Sequence, residues 1–317
     1  MRCAFAGSGD FALPALEALV QAGRPPVLVL TRPDRPAGRG LKTRETRVGA
    51  RAAQAGLAVL KPASLREAAI HEVLQQARLD MLITAAYGLL LPVSVLQLPR
   101  LGCINLHASL LPRWRGAAPI VRALLAGDAC TGVSIFQMEE GLDTGPLLVQ
   151  GQTPITGQET AGSLEDRLAH LAASLLLDVL EQLEAGTATF SPQANEGACY
   201  AAKITTDEAL IDWCREARTI ERLVRAMSPR PYARFFLGGR MVLVHEASLM
   251  PCSGPKEAGA ILEVDATSVA VACGAEALRL HVLQPAGGRP MSAAAFWRGL
   301  RVQPERLAAK HACGQAS

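Results

Sequence analysis

A chain of 317 residues, half of them hydrophobic and 19% charged, has enough apolar material for two packed domains and too much to remain disordered. The net charge of +3 does not by itself mark a nucleic-acid binder, and no apolar run reaches the roughly 18 residues that a membrane span needs. The eight cysteines are scattered, with no two within four positions of each other. Cys3, Cys103 and Cys273 sit in apolar runs, so they read as small buried hydrophobes, and no metal site is expected.

Taken in order, Arg2–Ala6, Pro26–Thr31, Leu57–Leu60, Asp80–Ala85 and Gly102–His107 read as strands. Phe11–Ala22 and Ser64–Ala77 carry apolar residues at helical spacing between them. Such alternation, with strands that are apolar on both faces, predicts a parallel sheet covered by helices. A strand over Gly132–Gln137 and a long helix over about Thr160–Ala185, closed by Gly186, complete this part. Residues 188–206 lose periodicity and contain Ser191-Pro192, Asn195 and Gly197, which predicts a linker. Beyond it come a helix over Cys214–Met227 and short strands near Met241–Ala247, Ala260–Val264, Ser268–Ala272 and Leu278–Leu283. The expected fold class is α/β: a Rossmann-like domain over 1–187, then a small OB-like β-barrel domain over 207–317. The N-terminus, Met1–Gly7, enters a strand without a signal-peptide layout, so a cytoplasmic protein with no membrane partner is expected; the chain is also expected to be a monomer.

Five features could carry chemistry. Gly7-Ser8-Gly9-Asp10-Phe11-Ala12 has the form of a dinucleotide fingerprint, but the second strand ends in Thr-Arg-Pro where an acidic residue should meet a ribose. A tight strand-to-helix turn is the simpler reading. Asn105 and His107 lie two apart on one strand, so an amide and an imidazole share a face at its C-terminal end. A structural histidine satisfied in the core is the competing reading. The loop Glu139-Glu140-Gly141-Leu142-Asp143-Thr144-Gly145 could be a solvated turn. Folded over that strand end, Asp143 would orient His107 and favour its charged form. No Ser or Cys nucleophile accompanies the trio, which suits a reaction in which the substrate supplies the nucleophile. Seven basic residues fall between Arg32 and Arg51, against Asp34 and Glu45. Pro33, Pro36, Gly38 and Gly40 make that tract a loop in this reading, and it could be no more than a solvated face. Finally, on a helix over Cys214–Met227, Arg215, Arg218, Arg222 and Arg225 would fall within an arc of roughly 80°, with Ala217, Ile220, Leu223, Val224 and Met227 elsewhere. An RNA backbone would relieve the repulsion along that stripe; so would Glu216 and Glu221.

The run Asn105-Leu106-His107-Ala108-Ser109-Leu110-Leu111-Pro112-Arg113-Trp114-Arg115-Gly116, followed by Gly141-Leu142-Asp143-Thr144-Gly145, resembles the folate-dependent formyltransferase family. The likeness is greatest to its tRNA-acting branch. It extends over most of the chain, including Pro33–Gly40 and Phe296-Trp297-Arg298-Gly299; Pro146 departs from it, where an acidic residue is more usual. The resemblance implies formyl transfer from 10-formyltetrahydrofolate, a co-substrate, to the amine of methionine on an initiator tRNA. It implies Asn105 as donor to the developing oxyanion, His107 as the proton-moving group and Asp143 as its orienting carboxylate. It further implies that Ser109, Leu110, Leu111 and Pro112, with Tyr87 and Gly88 in the loop 86–92, line the folate site. Arg39, with Lys42 beside it, would grip the tRNA acceptor end. A sugar-nucleotide amine formyltransferase would share the trio and a second domain; the basic tract favours tRNA. A nicotinamide-dependent oxidoreductase built on Gly7-Ser8-Gly9, or a non-enzymatic RNA-binding module, would leave the trio unused.

Overall fold

The computed structural model of the protein describes residues 1–37, 42–252, 254 and 256–308. The chain divides into two compact units: Met1–Pro119 with Cys130–Pro154 and Leu164–Ala202, and Ile120–Ala129 with Ile155–Ser163 and the chain from Lys203 onward. The segment 188–206 is thereby shared out at Ala202/Lys203.

The first unit is built on seven strands: β1 (Cys3–Gly7), β2 (Leu28–Leu30), β3 (Val59–Leu60), β4 (Met81–Ala85), β5 (Cys103–His107), β6 (Cys130–Gln137) and β7 (Leu147–Pro154). Their order in the sheet is β7-β6-β5-β4-β1-β2-β3. β1 through β5 pair in parallel, and β6 runs antiparallel to both β5 and β7. All residues of β1 and β4 are buried, as strands covered on both faces require. The chain order reverses between β1 and β4, which opens a crevice beyond the C-terminal ends of the strands.

Local hydrogen bonds move several element boundaries. The expected helix from Ser64 begins only at Ala68, because Glu67 accepts from the Ser64 N–H and Ser64 Oγ from the Arg66 N–H, tying up the entry turn. The strand expected from Leu57 is reduced to Val59–Leu60. The basic tract is not a single loop. Arg35–Ala37 and Lys42–Arg44 pair as an antiparallel ribbon, with Ala37 opposite Lys42, while Arg39 lies outside the described residues. Thr46 then caps a helix over Arg47–Gln54 by accepting from the Gly49 N–H. Two of the tract's arginines are turned back on the protein, Arg47 towards Asp10 (3.4 Å) and Arg51 towards Glu17 (3.6 Å). The glycine turn after β1 is spent internally. Gly9 N–H donates to the Ala86 carbonyl (3.1 Å), and a Cβ on Gly7 would lie 2.7 Å from that of Ala12.

In the second unit an antiparallel path joins Ala233–Leu237, Arg240–Met250, Ala277–Pro285, Val269–Ala272 and Ile261–Val264 in that order. Register shifts at Val244/Glu246 and Glu246/Ala247 bend its longest strand. Among the described residues the two end strands do not pair with each other, so the sheet is barrel-like without closing. Its core packs Trp213 edge-on to Phe235, with Ile220 and Val224 of the helix Ala217–Ala226 beside Val242 and Val244. That helix starts at Ala217 and not at Cys214. Asp212 accepts from the Cys214 N–H through its side chain and from the Arg215 N–H through its carbonyl, which holds Asp212–Arg215 in a turn. Arg215 therefore precedes the helix that carries Arg218, Arg222 and Arg225.

Arg122 and the Thr205 N–H hold Glu208 as a carboxylate and lower its pKa from 4.5 to about 2. The stabilisation this gives is present above pH 4.5 and is lost as pH falls through about 2, because protonation then removes the acceptor. Glu208→Gln should melt below the parent at pH 7, and the gap should close between those two pH values. Thermal unfolding across a pH series measures it; a gap that widens towards acid would contradict the assignment.

Candidate active site

The sheet register sets the site. Thr84 of β4, Asn105 of β5 and Phe136 of β6 are direct partners across three strands, and Ser134 is the partner of His107. Thr84 Oγ1 donates to Asn105 Oδ1 at 2.7 Å. An amide has one acceptor oxygen and a donor NH2, so occupation of the oxygen turns the nitrogen the other way. Among the described residues nothing takes up the Nδ2 hydrogens of Asn105. His107 is 6% exposed, edge-on to Phe136, with Nε2 2.9 Å from the Trp114 carbonyl oxygen. A carbonyl only accepts, so Nε2 carries a hydrogen and Nδ1 is the nitrogen left to take up or release a proton.

Asp143 comes from the Gly-punctuated loop after β6 and does reach this strand end. Its Oδ2 lies 3.7 Å from His107 Nδ1 and accepts from the Gly116 N–H at 2.8 Å. The tautomer is therefore set by Trp114, whereas Asp143 offers its charge across a gap wider than a direct hydrogen bond. Asp143 adopts φ +52°, a left-handed conformation that a non-glycine residue holds at a cost of about 1 kcal/mol or more when its surroundings enforce it. The surroundings are specific. Gln193 Nε2 donates to the carbonyls of Asp143 (2.9 Å) and Gly145 (2.8 Å), and Gln193 Oε1 accepts from Arg115 Nε (3.1 Å) and Nη2 (2.7 Å). Gly145 has no room for a side chain, since a Cβ there would lie 1.8 Å from the Gln137 carbonyl oxygen. Pro146, the departure noted in the sequence, has neither an N–H nor the more usual carboxylate, but its carbonyl accepts from the Gln137 N–H at 2.9 Å.

The segment after His107 is pinned from below. Ser134 Oγ donates to the Ser109 carbonyl (2.7 Å) and accepts from the Leu111 N–H (3.0 Å), while Gln150 Nε2 donates to the Leu111 carbonyl (2.8 Å). Ser109 and Leu111 are buried, and Ser109 Oγ is spent on the Arg113 carbonyl (2.6 Å), so Leu110 and Pro112 present the half-exposed apolar surface. Tyr87 is buried as well, and burial pushes its phenol pKa upward. Gly88 is at φ +76°, with the Arg32 guanidinium against it.

In the second unit Arg215 and Arg218 are exposed, Arg222 lies over Gly127, and Arg225 is turned inward onto Glu221 and the Glu159 carbonyl. The structure thus separates the four stripe arginines into three environments. Gln193, Thr84 and the Trp114 carbonyl escape the sequence reading. Gln193 lies 50 residues beyond Asp143 in a stretch without periodicity, and nothing local marks it.

An unpaired amide donor beside an imidazole with one open nitrogen and a carboxylate at its edge can hold an oxyanion and move an amine's proton. Those are the requirements of acyl transfer. Residues 1–180 match the family described as formyl transferase, and residues 203–301 its C-terminal domain. The methionyl-tRNA formyltransferase of Nitrosomonas eutropha is 46% identical over 304 residues, 96% of each chain. That of Aromatoleum aromaticum is 48% identical over 302 residues, 95% of each chain. The fold is shared with HypX from Aquifex aeolicus, solved in complex with tetrahydrofolic acid, at a TM-score of 0.66 and 16% identity; the match covers 93% of this chain and 46% of that one. The chain belongs to the formyl transferase family.

Two glycines make a controlled comparison. Gly145→Ala must displace the Asp143 loop and should lower turnover at least about tenfold, whereas Gly157, with open space around it, should tolerate Ala within about 0.5 kcal/mol. Steady-state rates and melting temperatures of both variants test this; equal behaviour would show that the close approach at Gly145 is without consequence.

Proposed function

We propose that this chain transfers the formyl group of 10-formyltetrahydrofolate to the α-amino group of methionyl initiator tRNA, giving the N-formylmethionyl-tRNA that starts translation. One observation carries the reading: Asn105, held by Thr84 through its oxygen, leaves its amide hydrogens open, two residues along the same strand from His107, whose Nε2 is held by Trp114 so that Nδ1 is the open nitrogen. As the amine attacks the formyl carbon, the carbonyl oxygen gains charge and Asn105 Nδ2 donates to it, a contribution of about 3–4 kcal/mol to lowering the barrier. His107 Nδ1 takes the proton that the attacking nitrogen loses, and Asp143, 3.7 Å away, offsets the charge that appears on the ring. The bond from the formyl carbon to the folate nitrogen then breaks, and that nitrogen receives the proton. Leu110 and Pro112, together with the backbone of Ser109, Leu111, Tyr87 and Gly88, supply apolar walls and peptide groups suited to a flat pteridine.

On this reading residues 1–187 perform the chemistry, 188–206 connect, and 207–317 help hold the tRNA. Arg39 and Lys42 act on the acceptor end, and Arg215, Arg218 and Arg222 on the phosphates. Arg225 contributes by fixing Glu221 and the helix. The enzyme acts as a cytoplasmic monomer. Among the described residues no helix is long and apolar enough to cross a membrane, and no cluster of His, Cys, Asp or Glu is arranged to hold a metal ion.

Incubation with formyl-tetrahydrofolate and charged initiator tRNA, followed by mass analysis of the released amino acid, should yield formylmethionine. Asn105→Ala, His107→Ala and Asp143→Ala should each cut turnover at least about 100-fold with the fold intact. Near-normal turnover in any of them at saturating substrate removes that residue from the scheme. Arg39→Ala should reduce discrimination between initiator and elongator methionyl-tRNA. Neutralising Arg218 and Arg222 together should weaken both tRNAs equally and flatten the salt dependence of binding by about one unit of slope for each phosphate no longer neutralised. An unchanged slope would place those arginines away from the phosphates.

A further inference from the structure

The Asp143 loop is closed by a ring of bonds that the catalytic reading does not use. Starting from Asp143, its carboxylate accepts from the Gly116 N–H. The adjacent Arg115 sends two guanidinium hydrogens to Gln193 Oε1. Gln193 Nε2 returns to the carbonyl of Asp143 itself and to that of Gly145. Three stretches distant in sequence, at 115–116, 143–145 and 193, are thus locked by one amide whose polar atoms are all engaged. The residue that the ring encloses is itself in the left-handed region, at φ +52°.

We propose that Gln193 is a positioning residue for the reaction: its bidentate amide, oriented by Arg115, holds the Asp143 carboxylate at its distance from His107 Nδ1. The inference rests on the role of Asp143 proposed for the formyl transfer. The chemistry of the site makes the distance matter. At 3.7 Å the carboxylate is too far to fix the ring by direct bonding, so its effect on the imidazolium is a matter of charge held at a set separation. A loop free to relax from φ +52° would carry the carboxylate away from the ring, and the ring's own anchor at Trp114 would not correct it. Arg115 determines which end of the Gln193 amide faces the loop, because a guanidinium only donates and must be met by the oxygen.

The test substitutes the donor while keeping the acceptor. Gln193→Glu retains a partner for Arg115 and sets oxygen against the Asp143 and Gly145 carbonyls, so kcat should fall about 10- to 100-fold while KM for formyl-tetrahydrofolate stays within about threefold. Gln193→Met, which keeps length and removes both polar ends, provides the same comparison should the carboxylate prevent folding. Melting temperature is measured on each. The deciding measurement is a double-mutant cycle with Asp143→Asn: because Gln193 acts through Asp143, the double variant should be no slower than Asp143→Asn alone. Independent, multiplying losses would overturn the proposal, as would a near-normal kcat in both Gln193 variants. Near-normal turnover of Asp143→Asn itself would instead sink the reading of the trio, and this proposal with it, so the two failures are told apart by one set of rates.

Discussion

The bond from His107 Nε2 to the Trp114 carbonyl decides which nitrogen of the imidazole is open to chemistry, and much of the surrounding chain is arranged to bring that oxygen into place. Trp114 sits at φ +64°, in the left-handed region, with the Arg113 guanidinium 4.5 Å from its ring centre and its N–H donated to Cys199 Sγ at 3.3 Å. The stretch between His107 and Trp114 has already been fastened by Ser134 and Gln150. A histidine at a strand end is ordinarily free to choose between tautomers. Here the choice is made by a backbone atom, which side-chain substitution cannot remove without moving the chain.

The polar groups around the crevice follow a common rule with informative exceptions. Those that shape the backbone are spent on the chain: the buried hydroxyls of Ser109 and Ser134 are bonded, as buried groups must be to avoid an uncompensated desolvation cost, and the half-buried Gln193 engages both ends of its amide. Asn105 Nδ2 is left open instead, so a group that approaches it has no internal bond to displace. Two atoms at the neighbouring edge, Arg32 Nε and Tyr87 Oη, are buried and unpaired. They lie close to the β1–β4 reversal, the place at which open sheets of this kind take their ligands.

Much of the fold and the trio was legible in the sequence for physical reasons. Strands buried on both faces announce themselves as apolar runs, and Asn105 and His107 carry their meaning in a two-residue spacing that a strand converts into a shared face. What escaped was decided by bonds to residues elsewhere in the chain or by capping turns that compete with the helix. Ser64–Glu67 and Asp212–Arg215 delay helices whose apolar periodicity begins earlier, and the second of these removes Arg215 from its stripe. The basic tract looked like a loop because its glycines and prolines are conspicuous, whereas Thr46 capping the Arg47 helix is a quieter signal. The pairing of Arg225 with Glu221, four residues apart on one helix, is among the alternatives the sequence offers, but its bond to the Glu159 carbonyl is not, because that depends on a distant loop. Gln193 had no local signature at all.

The turn at Gly7-Ser8-Gly9 has the form of a nucleotide-binding turn but spends polar groups on the protein itself. Thr31, fully buried at the end of β2 where a ribose-binding acid would stand, shares hydrogen bonds with Ser8 (3.3 Å) and Thr46 (2.7 Å), and Ser8 Oγ also accepts from the Arg32 N–H. The hydroxyl chain and the Gly9–Ala86 bond commit the Ser8 and Thr31 side chains and the Gly9 N–H to the protein itself. Restoring dinucleotide binding by design would thus take more than an acidic side chain at position 31. That charge would be buried among hydroxyls with its helix-terminal partner already committed, so the route back passes through dismantling the turn itself.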